Sequence, residues 1–418
     1  MADSTERGAT RIAGFQSPEM DFQLLRHLGS AAYGGASAGE CIAVAARITD
    51  GDPDSWAREF ATLARAQEQN AVDLEQTGCA LSASERLFAA ANSYRATEYY
   101  GDPTTAQHKQ AGQASRDCLQ RALSLAGIQY QPLDAPFEGC RLPGYYFPPG
   151  QLGSRPSGVT LMAMSGFDGT CEEMWFQCGR AALERGHAVC LFAGPGQVDS
   201  MRAYADLTFR PDYEAPVAAV IDRLAQFPEV DLERLALYGI SLGGYFVLRA
   251  AAFEPRIRAV AANSPILDLH AYLCGFMPFD PAELPDEEDF RPEDIEIPEP
   301  GPDQGQESGG FSPREARRSL GNMCRRYGRE TAKGVFTYLK QFNLAADLDR
   351  IKVPGLAMVS EGEGVGPLAQ TEAFIAGAAG PVTSRQFTAQ EGADAHCQLG
   401  NLPLSNAVLL DWLDETLG

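Results

Sequence analysis

Histidine is scarce in this chain, basic residues are outnumbered, and no apolar run is long. The 418 residues hold five histidines, His27, His108, His187, His270 and His396, too dispersed to assemble a zinc pattern. Lysine and arginine number 34 against 56 acidic residues, a formal net charge of −22. That balance repels nucleic acid and anionic membranes, and no basic patch or stacking motif offsets it, so neither partner is expected. No apolar stretch approaches the roughly 20 residues of a membrane span. The opening Met1-Ala2-Asp3-Ser4-Thr5-Glu6-Arg7 has no apolar centre, so no secretory leader is expected. Ten cysteines occur without a C-x-x-C pair, which reads as reduced, mostly buried thiols in a cytoplasmic protein. Gly194-Pro195-Gly196-Gln197 has neither the Lys-Ser/Thr of a phosphate loop nor a full G-x-G-x-x-G, so no nucleotide and no other cofactor is expected.

What is present is chemically pointed. Leu235 to Ile240 is a strand-like apolar run that meets Gly239-Ile240-Ser241-Leu242-Gly243 and flows into the helical pattern Tyr245 to Ala251. Strand, sharp turn and helix around G-x-S-x-G is the context of a nucleophile elbow, with Ser241 as nucleophile. The N–H of Leu242, at the helix start, points to where an oxyanion would form. The fold that uses such an elbow orders its triad as Ser, then Asp or Glu, then His. His396 lies in the last polar loop before an amphipathic helix, Ala407 to Leu417, and takes the base position; His270 comes too early and reads as structural. The strand Val353 to Ser360 opens into Glu361-Gly362-Glu363, which makes Glu363 the expected acid, Glu361 the runner-up and Asp268 a third candidate. The run Gly158 to Met164 ends in Ser165-Gly166-Phe167-Asp168-Gly169, small enough for close backbone approach, and Phe167 would give the second oxyanion N–H. Asp168, Glu172 and Tyr245 are auxiliary or substrate-binding candidates, although acids in a first helical turn, as at Glu172, are ordinary dipole complements.

Taken in order, Gly166-Phe167-Asp168-Gly169-Thr170 with Glu172-Glu173, Glu184-Arg185-Gly186-His187, Gly194-Pro195-Gly196-Gln197, Arg210-Pro211-Asp212-Tyr213-Glu214 and the elbow resemble one branch of the α/β-hydrolases. That branch holds the fermentation-respiration-switch esterase-like proteins, fungal hydrolases that shorten polyketide chains in pigment pathways, and the carbon–carbon hydrolase of 2,6-dihydroxypseudooxynicotine. The segments Asp21 to Leu25, Tyr33 to Ala36 and Gly39 to Cys41 extend the resemblance toward the N-terminus. It departs at Val198, where a glycine is common, and at the acid, usually Asp. The resemblance implies a serine hydrolase of a small, polyketide-like or aromatic molecule, cleaving a C–C bond of β-diketone type or an ester, and allows a homodimer. An acyltransferase or ester-forming cyclase would use the same acyl-enzyme, and a binding protein on a disused scaffold is the alternative from another class.

The expected fold is α/β: an eight-stranded, mostly parallel sheet covered by helices, preceded by an all-α domain. Residues 1–16 read as a flexible tail. Residues 17–126 are helical by period, with Trp56, Phe60, Leu63 and Ala64 on one face and a capping-box start at Ser82 to Glu85. They either brace the hydrolase or, as the resemblance implies, wall its substrate pocket through Phe22, Leu24, Leu25, Tyr33, Tyr94 and Tyr99. Residues 127–418 form the hydrolase domain, with strands expected at 128–133, 140–147, 158–165, 188–194, 235–241, 257–263, 355–360 and 383–388. An insertion at about 265–348 takes the place of a lid. Its part 279–310, rich in Pro, Asp, Glu and Gly, has little to bury and is expected to be mobile, with order resuming at the cap Ser312-Pro313-Arg314-Glu315.

Overall fold

Apolar runs in the second half of the chain build one sheet. The computed structural model describes residues 5–276, 290–297 and 312–418. Among the described residues ten strands form, β1 (Gln131–Pro132), β2 (Ala135–Phe137), β3 (Cys140–Leu142), β4 (Gly144–Phe147), β5 (Thr160–Met164), β6 (Ala188–Phe192), β7 (Leu235–Ile240), β8 (Ala259–Asn263), β9 (Gly355–Ser360) and β10 (Val382–Phe387). Eight join in the order β1-β4-β6-β5-β7-β8-β9-β10, and β2 pairs with β3 as a separate ribbon. Every residue of β5 to β9 is buried, the continuous apolar pattern of parallel strands covered on both faces. β4 runs antiparallel to β6, and from β6 to β10 all pairings are parallel. The outermost β10 is exposed or half-buried at every residue but the last, Phe387, as an edge strand can be. The run read at 128–133 shortens to β1, the run read at 140–147 splits at Pro143 into β3 and β4, and a tight turn at Glu138-Gly139 joins β2 to β3.

The chain divides into two compact units. One comprises residues 1–10, 128–283 and 336–418; the other comprises residues 11–127 and 284–335. The helical unit holds α1 (Pro18–Gly29), α2 (Ala38–Ala45), α3 (Pro53–Gln76), α4 (Ala80–Tyr100) and α5 (Ala106–Leu125). α4 packs against both α3 and α5 and is buried on every side from Leu87 to Glu98, as a central helix must be. Met20, Leu24, Val44, Trp56, Phe60 and Tyr100 share its core. Within this unit the Tyr94 hydroxyl donates to Glu68 and the Tyr99 hydroxyl to Glu19, each at 2.8 Å.

Three expectations change. α4 starts at Ala80 without a side-chain cap, so Ser82 lies inside the helix and does not cap it, and Ser84 is buried, donating to the Ala122 carbonyl at 2.8 Å to join α4 to α5. Residues 5–16 are not a free tail. The backbone N–H groups of Ile12, Ala13, Gly14 and Phe15 all donate to the Asp21 carboxylate, at 2.7–3.3 Å, while those of Ala9 and Thr10 donate to Asp394. A polar segment can be held by backbone hydrogen bonds to buried carboxylates, an anchoring that no hydrophobic period reveals. The insertion, finally, belongs in good part to the helical unit. The capping box at Ser312 and Glu315 forms as expected, and Glu315, 2% exposed, accepts the hydroxyls of Ser17 at 2.7 Å and Tyr100 at 3.4 Å. The expected mobility of 279–310 lies outside the described residues, apart from 290–297, where a short turn at Pro292–Asp294 packs with the helix Pro313–Tyr327.

Candidate active site

β7 ends at Ile240, and the helix Gly243–Phe253 begins almost at once, so Ser241 turns the chain in the left-handed region at φ +59°. A Cβ on Gly239 would come 2.2 Å from the Gly243 carbonyl oxygen, and one on Gly243 would come 2.8 Å from that of Ser165. Only glycine fits at either place. The strained residue is pinned on both sides: its N–H donates to the Asn263 carbonyl at 2.5 Å, and its carbonyl accepts the Gly244 N–H at 2.7 Å.

The loops after β9 and β10 bring two partners to this serine. His396 Nε2 lies 2.9 Å from Ser241 Oγ, and its Nδ1 lies 2.8 Å from Glu363 Oε2. A carboxylate only accepts, so the imidazole proton sits on Nδ1 and Nε2 is left to take the serine proton. Glu363 is wholly buried, and its oxygens also accept the Ser264 hydroxyl at 2.9 Å and the Ser360 N–H at 3.1 Å. Burial pushes its carboxyl up, but the His396 imidazole and these donors outweigh burial and hold it below the usual carboxylate range.

The histidine loop is braced from beneath. Cys397 and Gln398 follow at φ +56° and +53°. The Gln398 and Asn263 side-chain amides exchange bonds at 2.8 and 3.1 Å, while Gln398 also donates to Ser360 Oγ and accepts from Ser405 Oγ, each at 3.0 Å. Asn263, whose carbonyl receives the Ser241 N–H, therefore ties the Ser241 turn to the His396 loop. Neither amide stood out in the sequence, because the two lie 135 residues apart.

Opposite them, β5 runs into Ser165-Gly166-Phe167. A Cβ on Gly166 would lie 2.8 Å from both the Leu242 nitrogen and Ser241 Cβ, so this loop and the elbow meet with no space for a side chain. Gln197, from Gly-Pro-Gly-Gln, donates through Nε2 to the carbonyls of Ser165 (2.5 Å) and Gly166 (3.2 Å) and accepts the Gly194 N–H at 2.7 Å. The Gly194-Pro195-Gly196-Gln197 loop is thus the brace of the Phe167 loop. Phe167 and Asp168 are both half-buried there, and the Phe167 ring stacks on Phe209 with centroids 5.8 Å apart.

Other sequence candidates are engaged elsewhere. The Glu361 carboxylate is exposed and accepts the Ala389 N–H at 2.6 Å, away from His396. Asp268 caps the helix Leu269–Cys274 by accepting the Ala271 N–H, and His270 in that helix lies edge-on to Phe336. Glu172 is 1% exposed and holds the Tyr145 hydroxyl at 2.8 Å and Arg202 at 3.0 Å, a buried structural ion pair rather than a free auxiliary carboxylate. Tyr245 is fully buried against Phe246 and Phe342, its hydroxyl donating to the Pro211 carbonyl at 3.0 Å, which makes it a packing residue. Among the described residues no group of three or more His, Cys, Asp or Glu is arranged to hold a metal ion, and no helix is long and apolar enough to cross a membrane.

With this geometry in view, the comparisons with known proteins are specific. The profile of a family described as Esterase FrsA-like matches residues 49–282. A hydrolase named LUC6 from Fusarium sp is 36% identical over 272 residues, and the 20-hydroxy-prefusarin hydrolase FUS2 of Gibberella moniliformis is 35% identical over 272 residues. Each alignment covers 63% of this chain and 64% of the relative, so the chain spans just under two thirds of the length of these curated relatives. In three dimensions the chain is similar to a 2,6-dihydroxy-pseudo-oxynicotine hydrolase, with a TM-score of 0.67, 21% identity, and coverage of 93% of this chain and 95% of the other. It is also similar to a protein titled AbyA5, with a TM-score of 0.62, 17% identity, and coverage of 96% and 98%. At these identities the structural likeness establishes the α/β-hydrolase fold.

Proposed function

The chain belongs to the FrsA-like esterase family, and from that premise we propose that it is a serine hydrolase that forms an acyl-enzyme on Ser241. The single observation that carries the reading is the unbroken relay Glu363–His396–Ser241, with contacts of 2.8 and 2.9 Å. His396 takes the hydroxyl proton as Ser241 Oγ attacks a carbonyl carbon. Glu363 keeps the imidazole in the reactive tautomer and stabilises the imidazolium. The N–H groups of Leu242 and Phe167 receive the oxyanion. For an ester, His396 then protonates the departing alcohol. For a β-diketone the departing group is a carbanion stabilised as an enolate by its neighbouring carbonyl, and His396 returns the proton to it. Water, deprotonated by His396, releases the acid in both cases.

The substrate class we favour is a polyketide-like or aromatic small molecule carrying a β-diketone or an ester beside a carbonyl. The support is the name of one relative, a 20-hydroxy-prefusarin hydrolase, together with family membership. A fluorophosphonate probe should label the wild-type protein on Ser241, and Ser241→Ala should remain folded and unlabelled, with turnover down by about 10⁴-fold or more. Product analysis with a β-diketone beside a simple aryl ester then assigns the bond. An absence of labelling on folded wild-type protein would instead favour a binding protein on a hydrolase scaffold, and transfer to an added alcohol in preference to water would favour an acyltransferase.

A further inference from the structure

The two loops that carry Glu363 and His396 are linked by a short segment from the far end of the chain. The Glu6 N–H donates to the backbone carbonyl of Glu363 at 2.7 Å, and the next residue, Arg7, accepts the backbone N–H of His396 at 3.3 Å. Two consecutive residues thus bond to the main chain of the acid and the main chain of the base. The segment is anchored on either side. Before it, Thr5 donates its N–H to the Gly275 carbonyl at 3.1 Å and its hydroxyl to the Tyr272 carbonyl at 2.9 Å, and within it the Arg7 guanidinium lies 5.5 Å over the Phe276 ring. After it, the Ala9 and Thr10 N–H groups donate to Asp394 Oδ2 at 2.8 and 3.1 Å, and the Thr10 hydroxyl donates to Oδ1. Asp394 is 1% exposed and stands two residues before His396, so this carboxylate joins the segment to the base's own loop.

Between the anchors there is no slack. Gly8 adopts φ +85°, and a Cβ there would fall 2.6 Å from the Asp394 carbonyl oxygen and 2.7 Å from Ala395 Cα. From the other loop, a Cβ on Gly362 would fall 2.5 Å from Gly8 Cα. The main chain of the segment is therefore wedged between the acid's loop and the base's loop, in contact with both.

We infer that residues 5–10 are a positioning strap for the catalytic pair: they set the spacing of Glu363 and His396, with Gly8 and the Thr10–Asp394 contact as its determinants. The strap touches no reacting atom. It acts by limiting how far the two loops, already joined by the Ser360 hydroxyl to the Ala393 and Ala395 carbonyls, slide past one another, and a misplacement of about 1 Å between reacting groups can cost roughly 100-fold in rate. This rests on the serine-hydrolase reading of the relay.

The test uses full-length variants and the fluorophosphonate probe, whose acylation rate needs no knowledge of the natural substrate. Gly8→Ala should lower the second-order rate of Ser241 labelling at least about tenfold with an unchanged circular dichroism spectrum. Thr10→Val should lower it severalfold, and Thr10→Ser, which restores the hydroxyl, should return it to within twofold of wild type. The serine rescue separates positioning from bulk stability, and the Thr10 pair stands by itself should Gly8→Ala fail to fold. Labelling of Thr10→Val within twofold of wild type, whatever its thermal midpoint, overturns the strap, as does a Thr10→Ser variant as slow as Thr10→Val. Folded wild-type protein that does not label at all overturns the serine-hydrolase reading and with it the strap's premise.

Discussion

Ser241 and Glu363 each occupy a position that is unfavourable in isolation. A non-glycine residue at positive φ costs about 1–3 kcal/mol, and at Ser241 two backbone hydrogen bonds offset it. A buried carboxylate without partners would neutralise itself, and at Glu363 the imidazole, a hydroxyl and an amide N–H keep it ionised. Register decides between the two acids of Glu361-Gly362-Glu363, since only the second reaches His396 while the first bonds Ala389. Glu363→Gln should accordingly lower kcat by roughly 10⁴-fold, because the amide favours the wrong imidazole tautomer. Glu361→Gln should stay within about threefold of wild type, as a residue outside the reacting set. Steady-state rates of the two purified variants check this, and a crippled Glu361→Gln beside an active Glu363→Gln would reverse the roles.

The helix α1 carries a buried histidine that the chemistry does not use. His27 is 1% exposed, lies edge-on to Phe60 at 4.9 Å, and has Asn92 Nδ2 at 3.1 Å from its Nδ1. Burial, helped by the Arg95 cation, pushes its imidazole down from 6.5 to about 3. Between those values the unfolded chain binds a proton that the native helix refuses. Stability is therefore unaffected by His27 above 6.5 and falls as pH drops from 6.5 toward 3, by about 1.4 kcal/mol per pH unit for one proton. His27→Gln keeps a neutral polar group there and removes the titration. The urea midpoint of the variant should decline less steeply than that of wild type between about pH 6 and 4. Parallel declines would mean that His27 is protonated in the native helix.

At the scale of the whole molecule, neither unit is a continuous stretch of chain. The helical unit takes its helix Pro313–Tyr327 from beyond β8, held by Ser312 to the Gly51 carbonyl (2.6 Å), by Glu315 to Ser17, and by Arg318 to Asp54 (3.0 Å) and the Tyr100 carbonyl. The sheet-bearing unit takes its strap from before α1. Residues 128–418 produced alone would leave Glu315 buried against nothing and would lack the strap. That fragment should bind an apolar dye and be cut by protease within 313–327, where the full chain is protected. A soluble, dye-free fragment resistant at that helix would show that the insertion folds without α1 and α3.

Patterns that are local in the chain were legible without coordinates. The buried strands, the strand–turn–helix of the elbow and the cap at Ser312 each rest on neighbouring residues, whose hydrophobic period or turn chemistry admits few conformations. The division of the chain at Thr10, the engagement of Glu172 and Tyr245, the Asn263–Gln398 amide pair, the Gln197 brace and the strap did not follow from them. Each of these joins residues far apart in sequence through single hydrogen bonds or steric fits, and such partners leave no periodic trace. Only the folded chain, which must satisfy every buried donor and carboxylate at once, selects them.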